Sequence, residues 1–184
     1  MESNELTELI RRGEDSRTQF KRSQEVTNAK SLAGEMVAFA NSKGGKLLIG
    51  VDDSGAVVGV SPDDIRRLNQ RISNVTTDCI RPSINPETDN VAVDEKLVMV
   101  VTIPEGISKP YSDNEGVFWV KSGANKRRVT AREEIQRMLQ SADLVHADEI
   151  PITESTPKNL DMDKFDAFIR KQYGDSLNEV LQKA

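Results

Sequence analysis

The run Ala38-Phe39-Ala40-Asn41-Ser42-Lys43-Gly44-Gly45-Lys46-Leu47-Leu48-Ile49-Gly50-Val51-Asp52-Asp53 decides the fold. An amphipathic helix ends in it, a Gly-Gly turn reverses the chain, and a short apolar strand runs out to two adjacent carboxylates. Gly44-Gly45 stands where a helix C-cap is expected, because glycine takes the left-handed conformation there without a Cβ penalty. Upstream, Ala29, Leu32, Ala33, Met36, Val37 and Ala40 recur at the spacing of one helical face, which predicts a helix from Asn28 to Asn41. Downstream, Lys46 to Val51 is nearly continuous apolar sequence and reads as a central strand.

Further αβ units extend from this junction. Glu5 to Arg12 predicts a short helix ended by Gly13, and Thr18-Gln19-Phe20-Lys21 a short strand with Phe20 inward. Asp52-Asp53-Ser54-Gly55 is turn chemistry, with Ala56 to Val60 as the expected hairpin partner. Ser61 is an N-cap and Pro62 the first helical position of a helix carrying Ile65, Leu68, Ile72 and Val75, which stops before Pro82. Val91-Ala92-Val93 and Leu97 to Ile103 form a hairpin around Asp94-Glu95-Lys96. Val117 to Lys121 is another strand, turned out of by Ser122-Gly123-Ala124-Asn125, and Thr130-Ala131-Arg132-Glu133 reads as a capping box. The expected fold class is α+β, a mixed sheet with helices packed on it.

The expected domain runs from 1 to 141. Residues 142–184 then form an acidic tail, with an edge strand at Ile150-Pro151-Ile152-Thr153 and a helix marked by Leu160, Phe165, Phe168 and Ile169. Such a tail is too short for a core of its own and should pack on the domain or on a second subunit.

With 184 residues, 36% hydrophobic and 30% charged, the chain reads as a globular protein with one well-buried core. No apolar run approaches the roughly 20 residues of a membrane helix, and Met1-Glu2-Ser3-Asn4-Glu5 lacks signal-peptide chemistry, so a cytoplasmic location without membrane partners is expected. One cysteine, Cys79, and one histidine, His146, exclude an internal disulfide and a Cys/His zinc site. The net charge of −5 argues against indiscriminate coating of nucleic acid, but the cations are clustered at Lys21-Arg22, at Lys43 and Lys46, and from Lys121 to Arg132.

No phosphate-binding loop, dinucleotide fingerprint or nucleophile elbow occurs in the sequence. Glu14, Asp52 and Asp53 are candidate ligands for Mg²⁺ or Mn²⁺, since carboxylates at turns beside strand ends suit hard cations, although an Asp-Asp pair at a hairpin is chiefly turn chemistry. Lys121, Lys126, Arg127, Arg128 and Arg132, with Lys43, are candidate phosphate contacts. Asn125 could bond to nucleic-acid backbone or base, or instead fix a turn as Asn41 does.

Three segments carry a resemblance to a known family. Gly13-Glu14 through Gln19-Phe20-Lys21, the Ala38-to-Asp53 run, and Trp119-Val120-Lys121-Ser122-Gly123 with Asn125 and the Thr130-to-Glu133 helix start together resemble the Schlafen-type AlbA-like DNA-binding domain. Such domains occur at the N-terminus of bacterial transcriptional regulators and ATP-dependent DNA helicase-related proteins. The resemblance implies a nucleic-acid-binding module for DNA or RNA, acting in transcription regulation or beside a helicase, of a kind that pairs as homodimers or as tandem lobes in one chain, with a homodimer expected here and no cofactor. It also implies an alternative, since some relatives are metal-dependent RNA endonucleases that use two glutamates of the opening motif and a later aspartate. Here the first falls on Glu14 and the aspartate on Asp52 or Asp53, while the second glutamate is Gln19. A neutral amide is a poorer Mg²⁺ ligand and no base, which speaks against nuclease activity. A protein-interaction or dimerisation module is the third reading.

Overall fold

The computed structural model describes residues 1–142, 144 and 160–174. The chain divides into two compact units, Met1–Val145 and His146–Ala184.

In the first unit the elements are α1 (Ser3–Arg12), β1 (Thr18–Lys21), α2 (Ala29–Asn41), β2 (Gly45–Ile49), α3 (Pro62–Asp78), β3 (Ile80–Arg81), β4 (Glu87–Val93), β5 (Lys96–Ile103), β6 (Ser112–Asp113), β7 (Trp119–Ser122), β8 (Asn125–Arg128) and α4 (Arg132–Ser141). The main sheet has the order β1-β2-β5-β4, with β1 and β2 parallel and the other pairs antiparallel. The fold is therefore α+β with a mixed sheet.

Period-two alternation sorts the strand residues onto two faces, and both are buried. Leu47, Ile49, Met99, Val101 and Ile103 meet α2 and α3 on one side. Phe20, Leu48, Val98 and Val100 meet Leu6 and Ile10 of α1 on the other. Each such side chain contributes roughly 1.5–3 kcal/mol by leaving water. Burial on both faces explains why β2 reads as a continuous apolar run.

Capping sets the helix limits. Asn28 accepts from the Ser31 N–H at the start of α2, and Ser61 from Asp64 at the start of α3, with Pro62 in the first turn. Asp94 and Glu95 both take positive φ, at 47° and 62°, as a two-residue hairpin between β4 and β5 requires.

Three local expectations need correction. Residues 56–60 do not form a hairpin strand, because both edges of β2 are already taken by β1 and β5; Val57 makes only an isolated bridge to Val51. The helix before Gly44 ends at Asn41 with Ser42 as its cap, so Gly44-Gly45 is the turn beyond the cap. No capping box forms at Thr130, because α4 begins one residue later than that box requires; Ala131 stands at the cap without a side-chain bond.

In the second unit, α5 (Met162–Tyr173) starts at Asp161, whose carboxylate accepts from the Lys164 N–H, and ends at left-handed Gly174. The expected strand at Ile150-Pro151-Ile152-Thr153 and the residue His146 lie outside the described residues. No described helix is long and apolar enough to cross a membrane.

Candidate nucleic-acid interface

Asn125, expected to end the turn, instead begins a strand that carries the basic segment to Arg128. Gly123, at φ 60°, lets the chain double back after β7, and β8 pairs antiparallel with it in the register Trp119↔Arg128, Val120↔Arg127, Lys121↔Lys126 and Ser122↔Asn125. Paired residues share a face, so Trp119, Lys121, Lys126 and Arg128 project to one side and Val120, Ser122, Asn125 and Arg127 to the other. The first side lies on α2. Gly34 lies beneath it: a Cβ there would be in ordinary van der Waals contact, 3.4 Å from the Trp119 ring and 3.5 Å from the Lys126 stem. Asn41 fixes the far end, donating to the carbonyls of Tyr111 and Trp119 at 2.8 and 2.9 Å and accepting from the Tyr111 N–H at 2.7 Å.

A polar chain runs beneath the hairpin. Glu14 Oε1 accepts from Gln19 Nε2 at 2.5 Å and from the Phe20 N–H at 2.7 Å. Gln19 Oε1 in turn accepts from Lys121 Nζ at 2.9 Å, and Lys121 also donates to the Ala124 carbonyl. Glu35 then lies between two ammonium groups, 3.8 Å from Lys121 Nζ and 3.2 Å from Lys126 Nζ. Lys126 further donates to the Ser31 carbonyl at 2.9 Å. Both lysines stand over aromatic rings, Lys121 over Phe39 at 4.8 Å and Lys126 over Trp119 at 5.7 Å. Burial holds the Lys121 ammonium below the ordinary lysine range, against the opposing pull of Glu35 and Glu14.

This network explains Gln19. Its position must donate to a carboxylate on one side and accept from an ammonium on the other, and a carboxamide does both. A second carboxylate there would face Glu14 with no proton to give. Glu14 meanwhile serves β1, an edge strand, whose outward-facing Phe20 N–H it satisfies while the Thr18 carbonyl accepts from the Asp15 N–H at 3.0 Å.

Asp52 is committed to its own turn. Its Oδ1 accepts from the Ser54 N–H and hydroxyl and from the Ala56 N–H, and its Oδ2 from Arg22 at 3.0 Å. Asp53 is exposed. The candidate ligands Glu14, Asp52 and Asp53 are thus not brought into one set. Among the described residues no group of three or more His, Cys, Asp or Glu is placed to hold a metal ion.

The bonds from the Ser54 hydroxyl, the Ala56 N–H and Arg22 lower the Asp52 pKa to about 2. Because the native value lies below the unfolded one, its stabilising contribution is complete above about pH 4 and is lost as the pH falls through about 2. Asp52→Asn should therefore flatten the acid limb of stability, measured as urea midpoints between about pH 5 and about pH 2. A limb parallel to that of the unaltered chain would contradict this role.

The remaining cations differ sharply in availability. The Lys121 side chain is 1% exposed and that of Lys126 21%. Arg127 is paired with Glu134 of α4 at 2.9 and 2.7 Å. The Arg128 side chain is exposed and has no hydrogen-bond or ion-pair partner among the described residues. Arg132 is 91% exposed, with Glu133 at 3.8 Å, and Lys43 is 71% exposed, with Glu105 at 3.5 Å. Asn125 is exposed at the hairpin tip.

Sequence reasoning therefore overestimated Lys121 as a surface group and passed over Glu35. The signals were present. Lys121 alternates with Trp119 on an apolar strand, and Glu35 interrupts an otherwise apolar stretch of α2.

Two solved structures share the fold. One is the N-terminal domain of a protein from Nitrosomonas europaea named as related to the ATP-dependent DNA helicase RecG: 24% identical, TM-score 0.50, with 72% of this chain and 96% of that one covered. The other is the DIP2311 protein from Corynebacterium diphtheriae: 22% identical, TM-score 0.50, with 69% of this chain but only 24% of that one covered. No curated protein matches the chain. The family described as Schlafen, AlbA_2 matches residues 14–130, from the carboxylate that closes the β1 edge to the start of α4. Its span takes in the main sheet, the buried polar chain and the basic hairpin, and the chain belongs to this Schlafen AlbA_2 family.

Proposed function

We propose that the chain is a nucleic-acid-binding module, for DNA or RNA, that meets phosphates along β8 and the start of α4. The carrying observation is the exposure of the Arg128 side chain, unpaired among the described residues, at the end of a hairpin anchored to α2, with exposed Arg132 following at the start of α4. Long exposed cations on a held strand can give up counter-ions to phosphates without first breaking the fold. Lys43, and Asn125 at the hairpin tip, extend the surface. Lys121 and Lys126 serve it indirectly by fixing the hairpin. Membership of the Schlafen AlbA_2 family and the likeness to a helicase-related N-terminal domain support a nucleic-acid role. Pairing of two copies and a part in transcription regulation extend the same reading.

The test is a fluorescence anisotropy titration with labelled single-stranded DNA, duplex DNA and RNA at several salt concentrations. Arg128→Ala/Arg132→Ala should weaken binding about tenfold at low salt and reduce the salt slope by about two, one for each lost phosphate contact. Unchanged affinity and slope in this double variant would place the interface elsewhere.

A further inference from the structure

We propose that Glu134 occupies the phosphate site of Arg127 in the unliganded chain, so that α4 is an internal competitor of nucleic acid on β8. This rests on the nucleic-acid reading above. Arg127 Nη1 donates to Glu134 Oε2 at 2.9 Å and Nη2 to Oε1 at 2.7 Å. Two parallel charge-assisted bonds from one guanidinium edge are also how arginine takes phosphate, so the carboxylate stands where a phosphate would. The hydrogen bond from Arg127 holds Glu134 below the ordinary carboxylate range and raises Arg127 in turn, so both groups are charged at neutral pH.

Three further observations make the contact displaceable. No residue of α4 is fully buried. A cavity of about 330 Å³ lies between α4 and the body of the unit, lined by Glu134, Arg137, Met138 and Ser141 from the helix and by Asn41 and Lys109 from the body. The pair is itself partly exposed, at 47% for Arg127 and 28% for Glu134, and ion pairs of that kind cost little to break. Arg128, next on the strand, is exposed on the opposite face of β8 and has no such competitor among the described residues.

The competitor can be neutralised without changing its shape. Glu134→Gln should tighten binding of a labelled single-stranded DNA about fivefold at low salt and steepen the salt slope by about one. Arg127→Ala alone should change little, because the group is already engaged, whereas adding it to Glu134→Gln should abolish the gain. Glu87→Gln, an equal charge change on exposed β4, controls for net charge. A gain in Glu134→Gln that survives Arg127→Ala, an equal gain in Glu87→Gln, or no gain at all would overturn the proposal. Absence of binding by both the unaltered chain and Glu134→Gln would instead remove the nucleic-acid reading on which it stands.

Discussion

Glu35→Leu should destabilise the first unit by about 3–5 kcal/mol, which for a chain of this size lowers the unfolding temperature by about 10 °C. Glu35 is 8% exposed on α2 and is the carboxylate between Lys121 and Lys126. Leucine fits the apolar surroundings but leaves two ammonium groups facing each other, one of them almost fully buried. Removing one member of a buried charge set costs more than the set contributes, since the stranded charges remain desolvated.

The pH dependence of that variant follows from Lys121, whose native pKa is already depressed by burial. In the alkaline range the unfolded chain then binds more protons than the folded one, so the deficit should shrink as the pH rises through the depressed native value. Adding Lys121→Met should recover much of the loss, because a buried pair replaced by apolar groups is often close to neutral. Urea unfolding followed by circular dichroism checks the series. A loss below about 1 kcal/mol in Glu35→Leu would mean that the network does not hold the hairpin.

Gly45→Ala should cost about 3 kcal/mol or more, by steric conflict and not by backbone conformation. A Cβ at Gly45 would stand 2.4 Å from the Phe39 ring and 2.7 Å from the Arg17 carbonyl. Phe39 is fully buried, and the Arg17 carbonyl accepts the Lys46 N–H at 2.7 Å as part of the β1–β2 ladder, so neither neighbour can yield without disturbing the core or the sheet. Gly123→Ala is the contrast: nothing lies within 4 Å of a Cβ there, and only the left-handed φ of 60° opposes it. That change should cost about 1 kcal/mol. Equal thermal unfolding temperatures for Gly45→Ala and the unaltered chain would contradict the close packing of this turn.

The fold was legible wherever local chemistry and burial agree. The apolar face of α2, the buried run of β2, the Ser61-Pro62 start of α3 and the hairpin around Asp94-Glu95 all carry their structure in a few adjacent residues. The errors came where tertiary competition decides. Val57 and Val58 look like a strand, yet β2 had no free edge for them. Asn125 to Arg128 look like a solvated turn, because strand pairing with Trp119 to Ser122 is not written in a polar tetrapeptide.

The site was harder to read for the same reason. The chain from Glu14 through Gln19 and Lys121 to Glu35 joins residues far apart in sequence, and only the fold shows that a single carboxamide answers two charges. Clustering of cations marked the segment that forms β8. It could not separate Lys121, buried against α2, from Arg128, exposed at the end of β8 on the same face, because that distinction depends on what the fold packs against each residue.

Nucleic-acid binding itself is read most directly from an anisotropy titration of the unaltered chain with single-stranded DNA, duplex DNA and RNA between about 25 and about 200 mM salt. At least one of these ligands should bind, with affinity falling linearly in log–log form at a slope of about −2 to −4, as two to four phosphate contacts require. No binding to any of the three at the lowest salt, or binding indifferent to salt, would contradict it.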